Sequence, residues 1–402
     1  MKKTVPKDIP SVNKVIIEIK KDSKIHESYL KKIVQDEIEL YRRKIKNGEL
    51  NKTSAALLDE IKYKVLARAS HNLVNVINGT GIVLHTGFGR APFNSKSLKK
   101  IAKKMEGYVN LEFNLNDGKR GDRQEHVRAI LSSVCESESS LVVNNNAAAV
   151  MLAINGIAKG GEVIVSRGEL VEIGGLFRIP DIIHASGAIL KEVGTTNRTH
   201  SKDYINAINK NTKLILTVHT SNYIVKGFTK SVRLAELVSI GDNHNLPVMV
   251  DWGSGSLLKN ISKNTSLDIP INQLMKDKPD IVTFSGDKLI GGPQSGIIVG
   301  KGNIIKALQK NTLYRPFRPD KLTIGLLEDT LRSYRSTSFT KDNLSLNMLN
   351  TSRKTLKKRG EKVIMLIKKN IIRDLDISLV PSLVQAGSGS LPEKNIKSMA
   401  LI

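Results

Sequence analysis

The chain reads as an α/β protein with a mostly parallel central sheet, an N-terminal helical region and a C-terminal α+β segment. Three observations predict this. From Val74 onward, short β-rich runs recur at 140–143, 163–166, 189–193, 214–219, 248–251, 281–284 and 296–299, with helical or loop stretches between them. That alternation builds parallel sheets. Ahead of it, apolar residues fall at helical spacing; after Leu313, basic helical sequence returns before a strand-like Ile377-Ser378-Leu379-Val380. The expected division is a basic helical region over 1–74, a large domain over 75–312 and a small domain over 313–402.

Taken in order, the first helix is expected over 30–40, with Leu30, Ile33, Val34 and Ile38 on one face. A second is expected over 54–69, carrying Leu57, Leu58, Ile61, Val65 and Leu66. Tyr41-Arg42-Arg43-Lys44-Ile45-Lys46 reads as a basic edge between the two. Cys135 is the sole cysteine, which excludes an intrachain disulfide framework and suits a reducing cytoplasm. Its surroundings read as a helix end. No apolar run reaches the roughly 18 to 20 residues of a membrane span, and no signal peptide is expected, so no membrane is expected as a partner. DNA is not expected as a partner either. The formal charge of +25 suits a polyanion such as RNA, and is equally what a Lys-rich composition gives. With aromatics at 4%, any RNA contact should rest on phosphates and shape rather than on base stacking.

The chemistry concentrates at strand ends. Ser285-Gly286-Asp287-Lys288-Leu289-Ile290-Gly291-Gly292 follows the apolar run 280–284. A lysine in a tight, dry, glycine-rich turn is uncharged often enough to attack an aldehyde, the setting of a pyridoxal phosphate Schiff-base lysine. Asp251, one strand earlier, is placed to pair with a protonated pyridine nitrogen and keep the ring an electron sink. Asn144-Asn145-Asn146 leads into an Ala-rich helix whose free N–H groups would seat a phosphate, the Asn residues acting as caps. His219, in Val218-His219-Thr220-Ser221-Asn222-Tyr223, ends another strand facing the same crevice. Arg90, Arg315 and Arg318 offer forks for an anion distinct from the cofactor.

These segments belong to longer blocks: Val76-Ile77-Asn78-Gly79-Thr80-Gly81, Val143 to Ala149, Val165 to Gly175, Phe177 to Asp181, Gly194 to His200, the His219 segment and Ser285 to Gln294. In that order they resemble the bacterial L-seryl-tRNA(Sec) selenium transferases, from about residue 10 to the C-terminus. The resemblance implies a fold type I pyridoxal 5'-phosphate enzyme with an N-terminal tRNA-binding region, assembled as a homodecamer. It makes Lys288 the catalytic Schiff-base lysine, with Asn144, Asn145, Asn146, His219, Asp251 and Ser285 around the cofactor. Arg90, Arg315 and Arg318 fall where the family binds selenophosphate. The implied reaction converts seryl-tRNA(Sec) to selenocysteinyl-tRNA(Sec) through a dehydroalanyl stage. Gly87-Phe88 and Trp252 depart from the family's usual Asn-Leu and Leu, and the segment 385–392 is followed by a shorter tail than the family's, so the small domain is expected to be shortened. A pyridoxal phosphate lyase acting on a free amino acid or amino sugar acid, and a tRNA-binding paralogue without turnover, are the competing readings.

Overall fold

The computed structural model describes residues 4–21, 24–173, 177–220, 222–257, 268–370, 376–387 and 390–402. Gly174, Gly175, Ser221, Ser388 and Gly389, quoted above, lie outside the described residues. The chain forms two compact units, residues 1–77 and 78–402, and the C-terminal segment belongs to the second.

The first unit packs the helices Val12–Lys20 (α1), Glu27–Lys46 (α2) and Ser54–Ala69 (α3). Ser11 and Thr53 start α1 and α3 by accepting the N–H groups of Lys14 and Ala56. One apolar core joins Val15 and Ile19 of α1, Leu30, Val34, Ile38 and Tyr41 of α2, and Leu57, Ile61 and Val65 of α3. The basic run at 41–46 lies within α2 rather than between helices. Tyr41 is buried and continues the stripe of Leu30, Val34 and Ile38, so the helix carries on past Leu40. Arg43, Lys44 and Lys46 then occupy its last turn, where positive charge suits the helix dipole.

In the second unit the strands run in chain order Ile82–Leu84 (β1), Ser139–Val143 (β2), Glu162–Ser166 (β3), Glu172–Ile173 (β4), Phe177–Arg178 (β5), Ile189–Val193 (β6), Thr212–Val218 (β7), Val248–Gly253 (β8), Ile281–Ser285 (β9), Gly296–Gly300 (β10), Leu379–Gly387 (β11) and Ser390–Leu401 (β12). The central sheet has the order β2-β10-β9-β8-β7-β3-β6. All its pairings are parallel except those of β10, which runs antiparallel to both neighbours. Every one of the seven expected β-rich runs falls in this sheet. Separate cores fill its two faces. One gathers Ala149, Leu152 and Ala153 with Val163, Leu216 and Met249; the other gathers Val127, Leu131 and Cys135 with Val250, Val282 and Leu327. Burial on both sides explains why the strands read as continuous apolar runs. The strand expected at 377–380 is the start of β11, in a small sheet of order β1-β11-β12.

Two helices matter for the site. Glu125–Cys135 (α4) ends at the buried Cys135, as its sequence suggested. Asn146–Ala158 (α5) leaves the end of β2 and lies against β10 at Gly296. A Cβ at Gly296 would come within 2.1 Å of the Asn145 carbonyl oxygen and 2.9 Å of the Asn146 nitrogen. Backbone cannot yield there as a side-chain tip can. We expect Gly296→Ala to cost upwards of about 2 kcal/mol of stability, read as a lowered melting temperature in thermal unfolding followed by circular dichroism.

Candidate active site

Lys288 sits just past β9 in a turn locked from several directions. The Leu289 N–H donates to the Ser254 carbonyl at 3.2 Å, and the Gly292 N–H to the Gly286 carbonyl at 2.9 Å. Leu289 and Ile290 are fully buried, each in a different apolar cluster, so the turn is anchored on both flanks of the lysine's exit. Tyr334 and Asn343 donate to the Ile290 carbonyl at 2.8 and 2.9 Å. Gly291 has φ +71°, and a Cβ there would collide with the Asn343 amide, so glycine is required twice over.

The Lys288 side chain is 5% exposed. A Cβ at Gly253 would stand 3.7 Å from its Nζ, which places the amine over the end of β8. Burial, and then the Arg90 guanidinium, push its pKa below the ordinary lysine value, while Asp251, Asp287 and Asp268 pull the other way. Asp251, in β8, is 4% exposed. Its Oδ1 accepts from Asn146 Nδ2 at 2.8 Å and from Thr283 Oγ1 at 3.0 Å. Burial raises its pKa against those hydrogen bonds and the nearby Lys288 charge. A buried carboxylate in this condition gains from a further cationic partner.

The three asparagines divide their work. Only Asn145 caps α5, its Oδ1 accepting the Ala148 N–H at 2.8 Å. Asn146, the first helical residue, reaches Asp251 instead, and its Oδ1 is a buried acceptor with no hydrogen-bond donor among the described residues. Asn144 is exposed, and its N–H donates to the Phe317 carbonyl at 2.9 Å. Ser285 is buried at the end of β9, opposite Gly296 in register. His219 is tied to β8 through its N–H, which donates to the Asp251 carbonyl at 2.9 Å. Its ring stacks on Trp252 with centroids 4.0 Å apart and planes 12° from parallel. Asp268, which no sequence motif marks, accepts from Ser254 Oγ and lies 4.0 Å from His219 Nδ1.

The arginines do not share one place within the chain. Arg90 has a left-handed backbone (φ 59°), unusual for a non-glycine residue, and its Nη1 meets Asp287 at 3.0 Å beside Lys288. Arg315 and Arg318 border another cavity, lined also by Glu112 and Arg120. On the first unit, Arg42 and Arg43 stand exposed, both reaching Glu39, at 3.5 and 3.6 Å.

With this geometry in place, comparison with known proteins is direct. The family model for L-seryl-tRNA selenium transferase matches residues 76–402. The chain belongs to that family. It is 43% identical to the L-seryl-tRNA(Sec) selenium transferase of Aquifex aeolicus over 392 residues, covering 97% of this chain and 85% of that protein. The Caldanaerobacter subterraneus enzyme of the same name is 42% identical, with 98% and 86% covered. Among solved structures, a D-glucosaminate-6-phosphate ammonia-lyase superposes with a TM-score of 0.57 at 17% identity, covering 80% of this chain and 78% of that one. That likeness concerns the fold, and it agrees with the fold type I architecture expected for the family. No helix among the described residues is long and apolar enough to cross a membrane.

A second carboxyl group braces the site from behind. Glu169, following β3, accepts the Val218 N–H at 2.9 Å, one residue before His219. Burial pushes its pKa up to about 7, against the Val218 and Thr217 hydrogen bonds. The neutral form is therefore favoured in the fold: its contribution is complete below pH 4.5 and is lost as the pH rises through about 7. We expect Glu169→Gln, which keeps an acceptor oxygen, to remove up to about 3 kcal/mol of the stability lost between those limits. Urea denaturation at pH 5 and pH 8 measures it.

Proposed function

We propose that this chain converts L-seryl-tRNA(Sec) to L-selenocysteinyl-tRNA(Sec), with pyridoxal 5'-phosphate as cofactor and selenophosphate as selenium donor. The observation that carries the reading is the union of family membership with a buried Lys288, a buried Asp251 and the start of α5 around one crevice. The residues fit the cofactor. The buried Asn146 acceptor and the strained ionisation of Asp251 both call for a donor or cation between them, which a protonated ring nitrogen provides. The N-terminus of α5 suits the phosphate. Asn144, Ser285 and the His219 ring complete the holding set. When bound, pyridoxal phosphate supplies the electron sink for loss of the seryl Cα proton and departure of the β-hydroxyl.

The chain's own residues do the rest. Burial and the Arg90 charge favour a neutral Lys288 amine, suited both to holding a carbonyl group and to taking a proton from a nearby carbon. Asn146 and Thr283 hold the Asp251 carboxylate in one orientation. The Asp287 carboxylate fixes Arg90 at the mouth, and Arg315 and Arg318 face a cavity suited to an oxyanion. The basic end of α2 and the overall charge of +25 support docking of the tRNA. Exposed Tyr108, Leu115 and Phe228 support association with further copies, in the homodecamer that the resemblance implies and in the cytoplasm.

The experiment is an absorbance titration of the purified protein. The native chain should show a visible cofactor band that shifts on adding seryl-tRNA(Sec); Lys288→Ala should lack the native band and lose turnover by at least about 10³-fold. A band that ignores seryl-tRNA(Sec) and responds to a free amino acid would move the assignment to a lyase.

A further inference from the structure

We propose that Glu112 is a positioning residue for the oxyanion site, its carboxylate gathering Arg120, Arg123 and Arg318 so that the loop carrying Arg315 and Arg318 presents them to a phosphoryl group. This rests on the selenophosphate reading above and extends it to a residue outside the sequence-derived set. The Glu112 carboxylate meets three guanidinium groups. Its Oε1 accepts from Arg123 Nε at 2.9 Å, Arg123 Nη2 at 2.6 Å and Arg318 Nη1 at 3.1 Å; its Oε2 accepts from Arg120 Nη2 at 2.9 Å.

Like charges this close repel one another, and the carboxylate between them offsets that repulsion. The clamp also reaches the loop itself. Arg123, only 13% exposed, donates through Nη1 to the Pro319 carbonyl, one residue past Arg318. At the loop's other end, Gln124 Nε2 donates to the Tyr314 hydroxyl at 2.8 Å. Between them the Asn144 N–H holds the Phe317 carbonyl, tying the loop to the turn that opens α5. The arginines are thus fixed relative to the end of the crevice where the cofactor phosphate would sit.

Two features say that the cluster is built for a ligand. Arg318 Nε is a buried donor with no hydrogen-bond partner among the described residues. A buried donor left without an acceptor is unfavourable, and an acceptor oxygen from a ligand removes that cost. The adjoining cavity, about 550 Å³, is lined by Arg120, Arg315, Arg318 and Thr312. Its other carboxylate, Asp122, is engaged by Arg128 at 2.7 Å and Gln309 at 2.6 Å. Four arginines against Glu112 leave a positive surplus that a phosphoryl dianion can match. Hydrogen bonding from Arg123, with the charges of Arg123, Arg318 and Arg120, keeps Glu112 below the usual carboxylate range, so it remains ionised at neutral pH.

The test uses the full-length holoprotein and the variants Glu112→Gln, Glu112→Asp, Arg315→Ala and Arg318→Ala. Donor KM and kcat are measured at saturating seryl-tRNA(Sec), and inorganic phosphate binding by calorimetry. We expect Glu112→Gln to raise the donor KM and the phosphate Kd about tenfold, with kcat and the seryl-tRNA KM little changed; Glu112→Asp should fall between. Unchanged donor KM and phosphate Kd in Glu112→Gln, beside a raised donor KM in Arg315→Ala, would remove Glu112 from the role and leave the donor site standing. Tighter phosphate binding in Glu112→Gln would make the carboxylate a competitor and overturn the proposal. A raised seryl-tRNA KM with the donor KM unmoved would assign the arginines to RNA phosphates. If neither arginine variant changes the donor KM, the donor-site reading itself fails. Should Glu112→Gln not fold, judged by its melting curve, Glu112→Asp decides: an unchanged phosphate Kd there sinks the idea.

Discussion

A carboxyl group and an amine are buried at the ends of neighbouring strands, Asp251 in β8 and Lys288 just past β9, and the surrounding structure answers that constraint. Charge on either is costly away from water without partners. Asp251 draws on Asn146 and Thr283. To supply Asn146, α5 must begin close above β8, and the close passage of its first turn over β10 admits no side chain at Gly296. Lys288 requires a turn that cannot relax outward, and burial of Leu289 and Ile290 in separate clusters prevents that. Backbone, packing and electrostatics around the crevice therefore form one linked solution. A change in any one is felt at the amine.

Much of this was legible in the residues. The central strands announced themselves because both faces are covered, which leaves the sequence little room for polar alternation. The candidate site groups are legible because a parallel sheet collects side chains at the carboxyl ends of its strands, so Asp251, His219 and Lys288 each stand at the end of an apolar run. What escaped was pairwise. Nothing local to Glu112 says that residues at 120, 123 and 318 will converge on it, since those contacts arise from tertiary folding. The same holds for Asp287 with Arg90, and for Thr283 with Asp251. A helix has one N-cap position, so the asparagine triplet is not a uniform set of caps and Asn146 is free to point elsewhere. The basic run at 41–46 lies inside α2 because Tyr41 belongs to the apolar stripe that precedes it rather than to the charges that follow.

The arginines show how one residue type serves different ends. Arg90 is held by the Asp287 carboxylate next to Lys288, and its charge lowers the Lys288 pKa while neutralising Asp287. Arg123 is mostly buried and structural, fastening a loop by its carbonyl. Arg315 is exposed, and its head is not held by any of the described ion pairs. Counting arginines in the sequence gives the charge; only the acceptors around each one say whether that charge is committed or available.

The placement of β10 and β11 has a consequence for how the polypeptide acquires its shape as it leaves the ribosome. β2 pairs in the sheet with β10, so Val143 must wait for Gly296 before its ladder can close. β1 pairs with β11, with Ile82 opposite Gln385, and waits longer still. Such sequence-distant pairings are slow to form and leave strand edges open meanwhile. The helices of residues 1–77 pack on one another around a core of their own, with partners that all precede residue 78 in the chain. Synthesis should thus complete the basic N-terminal unit well before the crevice exists, leaving an interval in which the edges of the nascent sheet stay open.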